Sequence, residues 1–299
     1  MKYGSAQAFE AALSAALRRR TPGQTNTEFQ RLRRSVAFDR LLARLTRIDP
    51  DNWLIKGGVA LEYRMPEEAR ATTDIDLSAR GDVSAFIKSL TDATKTDLGD
   101  YFEFVFMREP FRPLEDLPTT YRFSLEARLS ARRFEGLTLD VGFADPWLGI
   151  AEQLTAPDLL SFAGIEPVTV KAIPIEQHVA EKAHAYTRQY GRENTRVKDL
   201  VDIILLSSHQ PISRLTLRTT FEAVFEARGS HALPDALPTP PLGWAGPYRV
   251  LAGPLGIESD LTRGYAIAAN FLDPVLAQQH RVQGSIWNPL SRNWVNQAR

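Results

Sequence analysis

The chain has 299 residues, 43% of them hydrophobic and 24% charged, which is typical of a folded globular protein with a sizeable core. Its 36 basic and 36 acidic residues cancel, so bulk charge does not attract it to nucleic acid, and the absence of cysteine excludes disulfides, thiolate metal sites and cysteine nucleophiles. No apolar run approaches the roughly 20 residues that span a bilayer, so we expect a cytoplasmic protein that makes no membrane contact.

The first half of the chain combines helical and strand patterns. Apolar residues recur at helical spacing through residues 1–48, which predicts two helices there. Helices are also expected to start at Val59 and at Val83. Apolar and alternating runs predict strands at 53–56, 72–78, 101–107, 120–130 and 134–143.

After Pro146 the pattern becomes mostly helical. A strand-like run at 168–174 and a Pro/Gly-rich stretch at 234–243 accompany predicted helices at 175–190, 196–207, 213–228 and 258–273. We therefore predict an α+β, bilobed fold. Residues 1–150 would form a lobe with a mixed sheet and flanking helices, and residues 151–299 would form a mostly helical lobe.

Asp74 and Asp76 form an acidic pair in the predicted strand 72–78. Successive side chains of a strand point to opposite faces, so the two carboxylates share one face while Ile75 and Leu77 share the other. Carboxylates about 5–7 Å apart repel each other by roughly 1–3 kcal/mol at an effective dielectric near 20. A divalent cation between them reverses that repulsion, and oxygen ligands suit Mg²⁺ or Mn²⁺. An Asp-x-Asp pattern alone is nevertheless common on solvent-facing strands.

Two neighbouring features favour chemistry at this pair. Lys56, Gly57 and Gly58 follow one predicted strand and precede a helix, where glycine lets backbone N–H groups approach a phosphate closely. Asp140 lies on the polar face of a later strand and is the first choice for a third carboxylate, with Glu126 as the weaker alternative. Three carboxylates on neighbouring strands can hold two metal ions, which activate an attacking hydroxyl and stabilise a leaving group.

The order of these features resembles the polymerase-β-like nucleotidyltransferase superfamily. Gly57–Gly58 stands where many members have Gly–Ser, and the gap from Gly58 to Asp74 is longer than in the most compact members. These departures place the chain in the superfamily at large and point to one branch of it.

The predicted helices of the second lobe carry a further polar group. Lys182 lies at the edge of an apolar helical stripe, where its stem can cover apolar surface. Asp199 and Asp202 lie three residues apart on the next helix, and Asp202 falls among core residues. A buried aspartate needs a partner, which Lys182, Lys198 or Arg196 can supply.

Four ordered motifs resemble the AbiEii/AbiGii toxin family, nucleotidyltransferases of type IV toxin–antitoxin systems that include the MenT-like toxins. The motifs are KGGVALEYR (56–64), ATTDIDL (71–77), EKAHAY (181–186) and RVKDLVD (196–202). The resemblance implies a nucleotidyltransferase-type sheet in the first lobe, transfer of a nucleotide from an NTP with Mg²⁺, and a cognate antitoxin as partner. In some members the acceptor is the 3′ end of tRNA. The resemblance therefore implies that this toxin modifies that end of tRNA and thereby blocks translation.

The resemblance also assigns roles to residues of this chain. Asp74 and Asp76 would be catalytic metal ligands, Lys182 a catalytic contact to the triphosphate, and Asp199 the catalytic aspartate of the last motif, because Asp202 is better placed to brace the helices. The nucleotide-binding turn would be Lys56, Gly57 and Gly58. Asp140 as third metal ligand rests on strand alternation. Three residues flank the first two motifs: Arg64, Arg70 and Thr72. They could either contact phosphate or make ordinary surface contacts.

Two other functions fit the same residues. The acceptor of the nucleotide could be a protein hydroxyl or a small molecule instead of tRNA, and short basic groups such as Arg128, Arg132 and Arg133 favour RNA only modestly. A function of another class is a non-catalytic nucleotide-binding module. The presence of every charged motif residue favours an enzyme.

Overall fold

The computed structural model describes residues 1–21, 23, 26–108, 111, 113–114, 117–188, 196–277 and 284–296. The chain divides into two compact units. Unit 1 comprises Met1–Pro66, Ala71–Asp145 and Ala151–Ala172, and unit 2 comprises Glu67–Arg70, Pro146–Ile150 and Ile173–Arg299. Each unit is described by itself.

The helices of unit 1 are α1 (Ala6–Arg20), α2 (Asn26–Ile48), α3 (Gly57–Arg64) and α4 (Val83–Lys95). Side-chain caps define the start of two of them, because Ser5 accepts a hydrogen bond from the Ala8 amide and Asp82 accepts one from the Ala85 amide. Helices α2 and α4 pack together on the sheet. Apolar residues at helical spacing form the buried stripe of α4, namely Phe86, Leu90 and Ala93.

The sheet of unit 1 contains the strands that carry the acidic residues. Its strands are β1 (Trp53–Lys56), β2 (Ile75–Ala79), β3 (Phe102–Phe106), β4 (Pro113–Leu114), β5 (Leu117–Leu129), β6 (Arg132–Gly142), β7 (Glu152–Thr155) and β8 (Thr169–Ala172). Their order is β3-β5-β6-β2-β1-β8-β7, and β4 pairs with β5. The pairs β2–β6 and β1–β8 are parallel and the other pairs are antiparallel, so the sheet is mixed.

Unit 2 is mostly helical. Its helices are α5 (Ile175–Thr187), α6 (Val197–His209), α7 (Arg214–Arg228), α8 (Ala245–Ala252) and α9 (Leu261–Leu276). A small antiparallel sheet consists of β9 (Ile212–Ser213), β10 (Ser285–Asn288) and β11 (Asn293–Asn296). Trp287 of β10 is fully buried and donates a hydrogen bond to the Ser207 carbonyl at 2.6 Å, which ties this sheet to α6.

The predicted α+β fold class with a mixed sheet is confirmed. The strand with alternating residues is observed as β6, where Leu137, Leu139 and Val141 are buried and Asp140 is partly exposed. Residues 189–190 of the helix predicted at 175–190 lie outside the described residues. Elements absent from the sequence-based expectation include β7, α8 and the β10–β11 pair. Within the described ranges, no helix has the length and apolarity that crossing a bilayer requires.

Candidate active site

Four charged residues form a row across neighbouring strands at one end of the unit 1 sheet. Lys56 of β1 is the register partner of Asp76 of β2, and Asp76 is in turn the register partner of Asp140 of β6. Asp140 faces Arg122 of β5 in the next antiparallel pair. The row therefore reads cation, anion, anion, cation across four strands, and it contains three of the residues that the sequence predicted for the site.

The acidic pair lies at the start of β2. Ile75 and Leu77 are fully buried, whereas Asp74 and Asp76 are partly exposed, which is the two-faced arrangement that strand alternation predicts. The Thr73 hydroxyl lies 3.0 Å from Oδ2 of Asp74 and donates a hydrogen bond to it. Both carboxylates are thus held on the polar face of the sheet while the other face anchors the strand in the core.

The glycine turn packs directly against this pair. Gly57 has a φ of +59°, in the left-handed region that favours glycine, and a Cβ added there would lie 2.8 Å from Cγ of Asp76. A Cβ at Gly58 would lie 2.6 Å from Cβ of Thr72. Only glycine therefore fits at the start of α3, where Lys56 makes no side-chain cap hydrogen bond.

Lys56 forms an ion pair that the sequence did not predict. Its Nζ bonds Oδ2 of Asp145, and both side chains are about 15% exposed or less. A Cβ at Gly142 would lie 3.1 Å from Cγ of Asp145, so the end of β6 also needs glycine here. Asp145 orients the Lys56 ammonium at the same end of the sheet as Asp76.

Asp140 is held by Arg122. Nε of Arg122 donates to Oδ1 of Asp140 at 2.7 Å, and Nη2 donates to Oδ2 at 2.6 Å. Glu126, the alternative third carboxylate, faces Gly136 four residues farther along β5 and accepts a hydrogen bond from Arg128 at 2.7 Å. Register therefore favours Asp140 over Glu126 as the neighbour of Asp76, although its role as a metal ligand stays a prediction.

The donor set of this site fits a single hard cation. In the part of the chain that the structure describes, no group of three or more His, Asp or Glu side chains is arranged to hold a metal ion. Asp74 and Asp76 supply carboxylate oxygens, and Mg²⁺ is commonly bound by one or two carboxylates together with substrate phosphates and water. Two carboxylates are therefore sufficient for one Mg²⁺ that arrives with a nucleotide, whereas a second ion would need Asp140.

The second polar group lies in unit 2, where Lys182 of α5 bridges two aspartates of α6. Its Nζ lies 2.7 Å from Oδ2 of Asp202 and 3.2 Å from Oδ1 of Asp199. Arg70 also binds Asp202, with both contacts at 2.8 Å. Oδ2 of Asp199 accepts no hydrogen bond from the described residues, and Nη1 of Arg196 lies 3.9 Å from it.

These contacts fix the charge states of the group. Burial alone would lower the pKa of Lys182, but Asp202 and Asp199 outweigh it and raise that pKa above the usual lysine value. Burial alone would raise the pKa of Asp202, but Lys182 and Arg70 outweigh it and hold that pKa below the usual aspartate value. Lys182 therefore remains a cation, and Asp202 remains an anion that joins α5, α6 and the Arg70 segment.

Comparison with known proteins decides the family. The profile of the nucleotidyl transferase AbiEii toxins, of type IV toxin–antitoxin systems, matches residues 40–261, about three quarters of the chain. The chain belongs to the AbiEii toxin family. This confirms the resemblance of the four motifs, and it makes the protein a member of a nucleotidyltransferase enzyme family. The matched range contains the row on the unit 1 sheet as well as Lys182 and Asp199.

Solved structures agree with the fold of an AbiEii toxin. MenT4, a nucleotidyltransferase toxin from Mycobacterium tuberculosis H37Rv, has 19% identity and a TM-score of 0.53, and the match covers 90% of this chain and 95% of MenT4. JHP933 from Helicobacter pylori has 12% identity and a TM-score of 0.47 over 81% of this chain and 93% of that one, which is too low to carry an argument. No match is found among curated proteins.

Sequence reasoning missed the partners of two candidate site residues. Arg122 lies 18 positions from Asp140, and Asp145 lies 89 positions from Lys56, so only the folded structure reveals these pairs. The residues flanking the first two motifs make internal contacts. Arg64 binds Glu152 at 2.9 Å, Arg70 binds Asp202, and the Thr72 hydroxyl donates to the Asp74 carbonyl at 3.2 Å.

Proposed function

We propose that this AbiEii toxin transfers a nucleoside monophosphate from an NTP to the 3′ end of tRNA, in a Mg²⁺-dependent reaction that blocks translation. The observation that carries the proposal is the packing of the Asp76 carboxylate against Gly57. This packing brings a carboxylate that would bind a metal ion against a helix start that would bind phosphate. That combination serves a substrate that is both polyanionic and metal-bound, such as an NTP.

The residues of unit 1 would bind the triphosphate and its metal. Asp74 and Asp76 would hold Mg²⁺ through their carboxylate oxygens, and the amides at the start of α3 would face phosphate oxygens. Lys56, held by Asp145, would contribute positive charge at the same end of the sheet. When bound, Mg²⁺ would neutralise the charge that develops on the α-phosphate and the leaving pyrophosphate.

The residues of unit 2 would contribute a fixed cation and one buried carboxylate oxygen that accepts no hydrogen bond from the described residues. Lys182 is 13% exposed and permanently charged, which suits a contact to phosphate. Asp202 would hold Lys182 in place, because it is fully buried and bound by two cations. Asp199 has one buried oxygen that accepts no hydrogen bond from the described residues, and this oxygen would orient a reacting group that enters the site.

Family membership supports the partner, and exposed arginines support the acceptor. Type IV toxin–antitoxin systems pair a toxin with an antitoxin, so we infer a cognate antitoxin as the protein partner. A tRNA acceptor is supported by exposed arginines at the β5–β6 turn, where Arg132 is exposed and the Arg133 side chain is 69% exposed. Such side chains bind phosphates without sequence preference.

The deciding assay incubates the protein with Mg²⁺, each labelled NTP and total tRNA. We expect label at the tRNA 3′ end, and we expect Asp76→Asn to lower the rate by about 100-fold or more, because the variant loses one metal ligand. Asp92→Asn is the matched control, since Asp92 lies on α4 and its exposed carboxylate pairs at 3.4 Å with the exposed Lys88. It should label tRNA at the wild-type rate.

The destination of the label separates the alternatives. Label on protein or on a small molecule instead of RNA would replace tRNA as acceptor while preserving the enzyme. NTP binding with no transfer to any acceptor, by a protein whose growth inhibition survives Asp74→Ala, would favour the non-catalytic nucleotide-binding module. No binding and no label with any of the four NTPs would overturn the proposed function.

A further inference from the structure

Arg122 closes the row of charged residues on the unit 1 sheet. Its guanidinium binds both oxygens of Asp140 side by side, at 2.7 and 2.6 Å. The Arg122 side chain is 49% exposed, whereas that of Asp140 is 16% exposed. The cation is thus mobile enough to leave the pair, while the carboxylate is fixed on the strand next to Asp76.

Arg122 interacts with all three carboxylates. The hydrogen bonds to Asp140 raise the pKa of Arg122 above its usual value, and the charges of Asp74 and Asp76 raise it further. Three carboxylates on neighbouring strand positions repel one another in the absence of a counter-ion. Arg122 therefore supplies positive charge to the acidic group when no metal ion is bound.

A purely structural role explains this arrangement poorly. Ion pairs with a half-exposed partner contribute little to folding stability. A second arginine–carboxylate pair of comparable exposure, Arg128 with Glu126, lies six residues along the same strand and is joined by one hydrogen bond of 2.7 Å. What distinguishes Arg122 from Arg128 is the neighbouring acidic pair, Asp74 and Asp76, which the strand register brings to Asp140.

We propose that Arg122 is an exchangeable counter-ion of the acidic site. Its two hydrogen bonds occupy both carboxylate oxygens of Asp140. When an NTP binds with its metal, Arg122 exchanges the Asp140 carboxylate for phosphate oxygens, which accept the same two parallel hydrogen bonds. Asp140 then becomes open as a further oxygen ligand. This inference rests on the proposed function, because it requires NTP and a divalent metal at this site.

The test measures two binding constants of Arg122→Gln, and neither depends on turnover. Binding of Mn²⁺ alone is followed by electron paramagnetic resonance, and binding of non-hydrolysable NTP analogues with Mg²⁺ is followed by calorimetry. We expect Mn²⁺ to bind severalfold more tightly, because Asp140 is released without a competing cation. We expect the analogue to bind about tenfold more weakly, the factor for one lost charge-assisted contact.

Two further variants complete the test. Arg128→Gln removes the matched pair on the same strand and should shift neither constant. Arg122→Lys keeps the charge but loses the two-point contact, so Mn²⁺ affinity should stay near wild type while analogue affinity falls. If Arg122→Gln does not fold, as judged by thermal unfolding without metal, Arg122→Lys replaces it in the test. Lower analogue affinity at unchanged Mn²⁺ affinity in Arg122→Lys then supports the inference, and any other result overturns it.

The outcomes separate this inference from the proposed function. Opposite shifts of the two constants in Arg122→Gln support the counter-ion exchange. Shifts in the same direction, a shift of only one constant or no shift would overturn it, even if the wild type binds NTP and labels RNA. A wild type that binds neither Mn²⁺ nor NTP analogue would overturn the proposed function together with this inference.

Discussion

At the scale of single residues, Gly57 determines where the Asp76 carboxylate can lie. Its backbone lies in the left-handed region, and the absent Cβ leaves the space that the Asp76 carboxylate occupies. We predict that Gly57→Ala costs about 1–2 kcal/mol in backbone strain. We also predict that it displaces Asp76, which should weaken Mn²⁺ binding. Chemical denaturation measures the first effect, and metal titration measures the second.

Two other glycines provide matched controls for this prediction. Gly81 and Gly99 also have positive φ values, of +85° and +67°, but an added Cβ would meet no atom within 4 Å at either position. Alanine at these positions should therefore cost a similar backbone strain and leave Mn²⁺ affinity unchanged. If all three variants bind Mn²⁺ equally well, the close packing of Gly57 on Asp76 has no functional role.

Substitutions of Asp199 and Asp202 should affect nucleotide transfer and folding stability to different extents. Asp202 is fully buried between Lys182 and Arg70, so Asp202→Asn leaves two cations undercompensated and should destabilise the fold by about 3 kcal/mol. In Asp199→Asn, Lys182 keeps its shorter contact to Asp202, so the stability loss should be smaller and the loss of nucleotide transfer larger. Urea unfolding and tRNA labelling of both variants test this difference. A larger stability loss in Asp199→Asn would contradict it.

The lowered pKa of Asp202 makes the stability that its ion pairs with Lys182 and Arg70 provide depend on pH. Because that pKa lies below the unfolded value of 3.8, the stabilisation is present above this pH. It is lost as the pH falls through the folded value. At neutral pH the ion pair that braces α5 against α6 is therefore fully formed.

At the scale of elements, His184 makes the contact between α5 and α7 sensitive to acid. The ring packs against Phe225, and its Nε2 lies 2.9 Å from the Ser230 hydroxyl. Burial, together with the charges of Arg228, His231 and Arg188, lowers the pKa of His184 to about 3. The folded protein therefore keeps this imidazole neutral in conditions that protonate it in the unfolded chain.

This lowered pKa predicts a loss of stability in mild acid. Below a pH of about 6.5 the unfolded chain binds a proton at His184 that the folded chain does not, so His184 should cost up to about 1.4 kcal/mol per pH unit until the folded pKa is reached. His184→Gln should remove this slope while the stability at pH 7–8 stays independent of pH. Urea unfolding from pH 8 to pH 4 measures both curves, and parallel curves below pH 6 would contradict the prediction.

The elements also show what the sequence could and could not predict. Helices with long apolar stripes, such as α2 and α4, and the alternating strand β6 were predictable because their periodicity is strong. The short strand β7 has no fully buried residue, and α8 contains Gly246 and Pro247, so neither shows a clear pattern. The element types were therefore predictable wherever burial is periodic.

The positions of the candidate site residues were predictable where they depend on the pattern within one strand. Asp74, Asp76 and Asp140 follow from alternation within single strands, which is local information. The pairing of Asp140 with Arg122 depends on the register of β5 on β6, and that register shifts at a bulge between Ala127 and Arg128. A bulge changes which residues face each other, and the sequence of either strand alone does not reveal it.

At the scale of the whole molecule, a neutral protein must bind a polyanionic acceptor through local rather than net charge. The 36 basic and 36 acidic residues give no long-range attraction to RNA. Several arginines of the sequence already have internal partners, such as Arg33 with the Phe134 carbonyl and Arg44 with Asp100. The exposed arginines at the β5–β6 turn, Arg132 and Arg133, are the ones that we expect to contact RNA phosphates.

Salt dependence tests this expectation directly. Each lost phosphate contact should reduce the slope of log affinity against log salt by about 0.7–0.9. The double variant Arg132→Gln with Arg133→Gln should therefore reduce this slope by about 1.5. It should also weaken tRNA labelling at low salt. The control double variant, Lys88→Gln with Arg263→Gln, removes the same amount of charge. The Lys88 side chain on α4 is 82% exposed, and the Arg263 side chain on α9 is 79% exposed. This control should leave the slope unchanged, because net charge steers association only weakly in a neutral protein. Equal slopes for the two double variants would show that RNA does not bind at the β5–β6 turn.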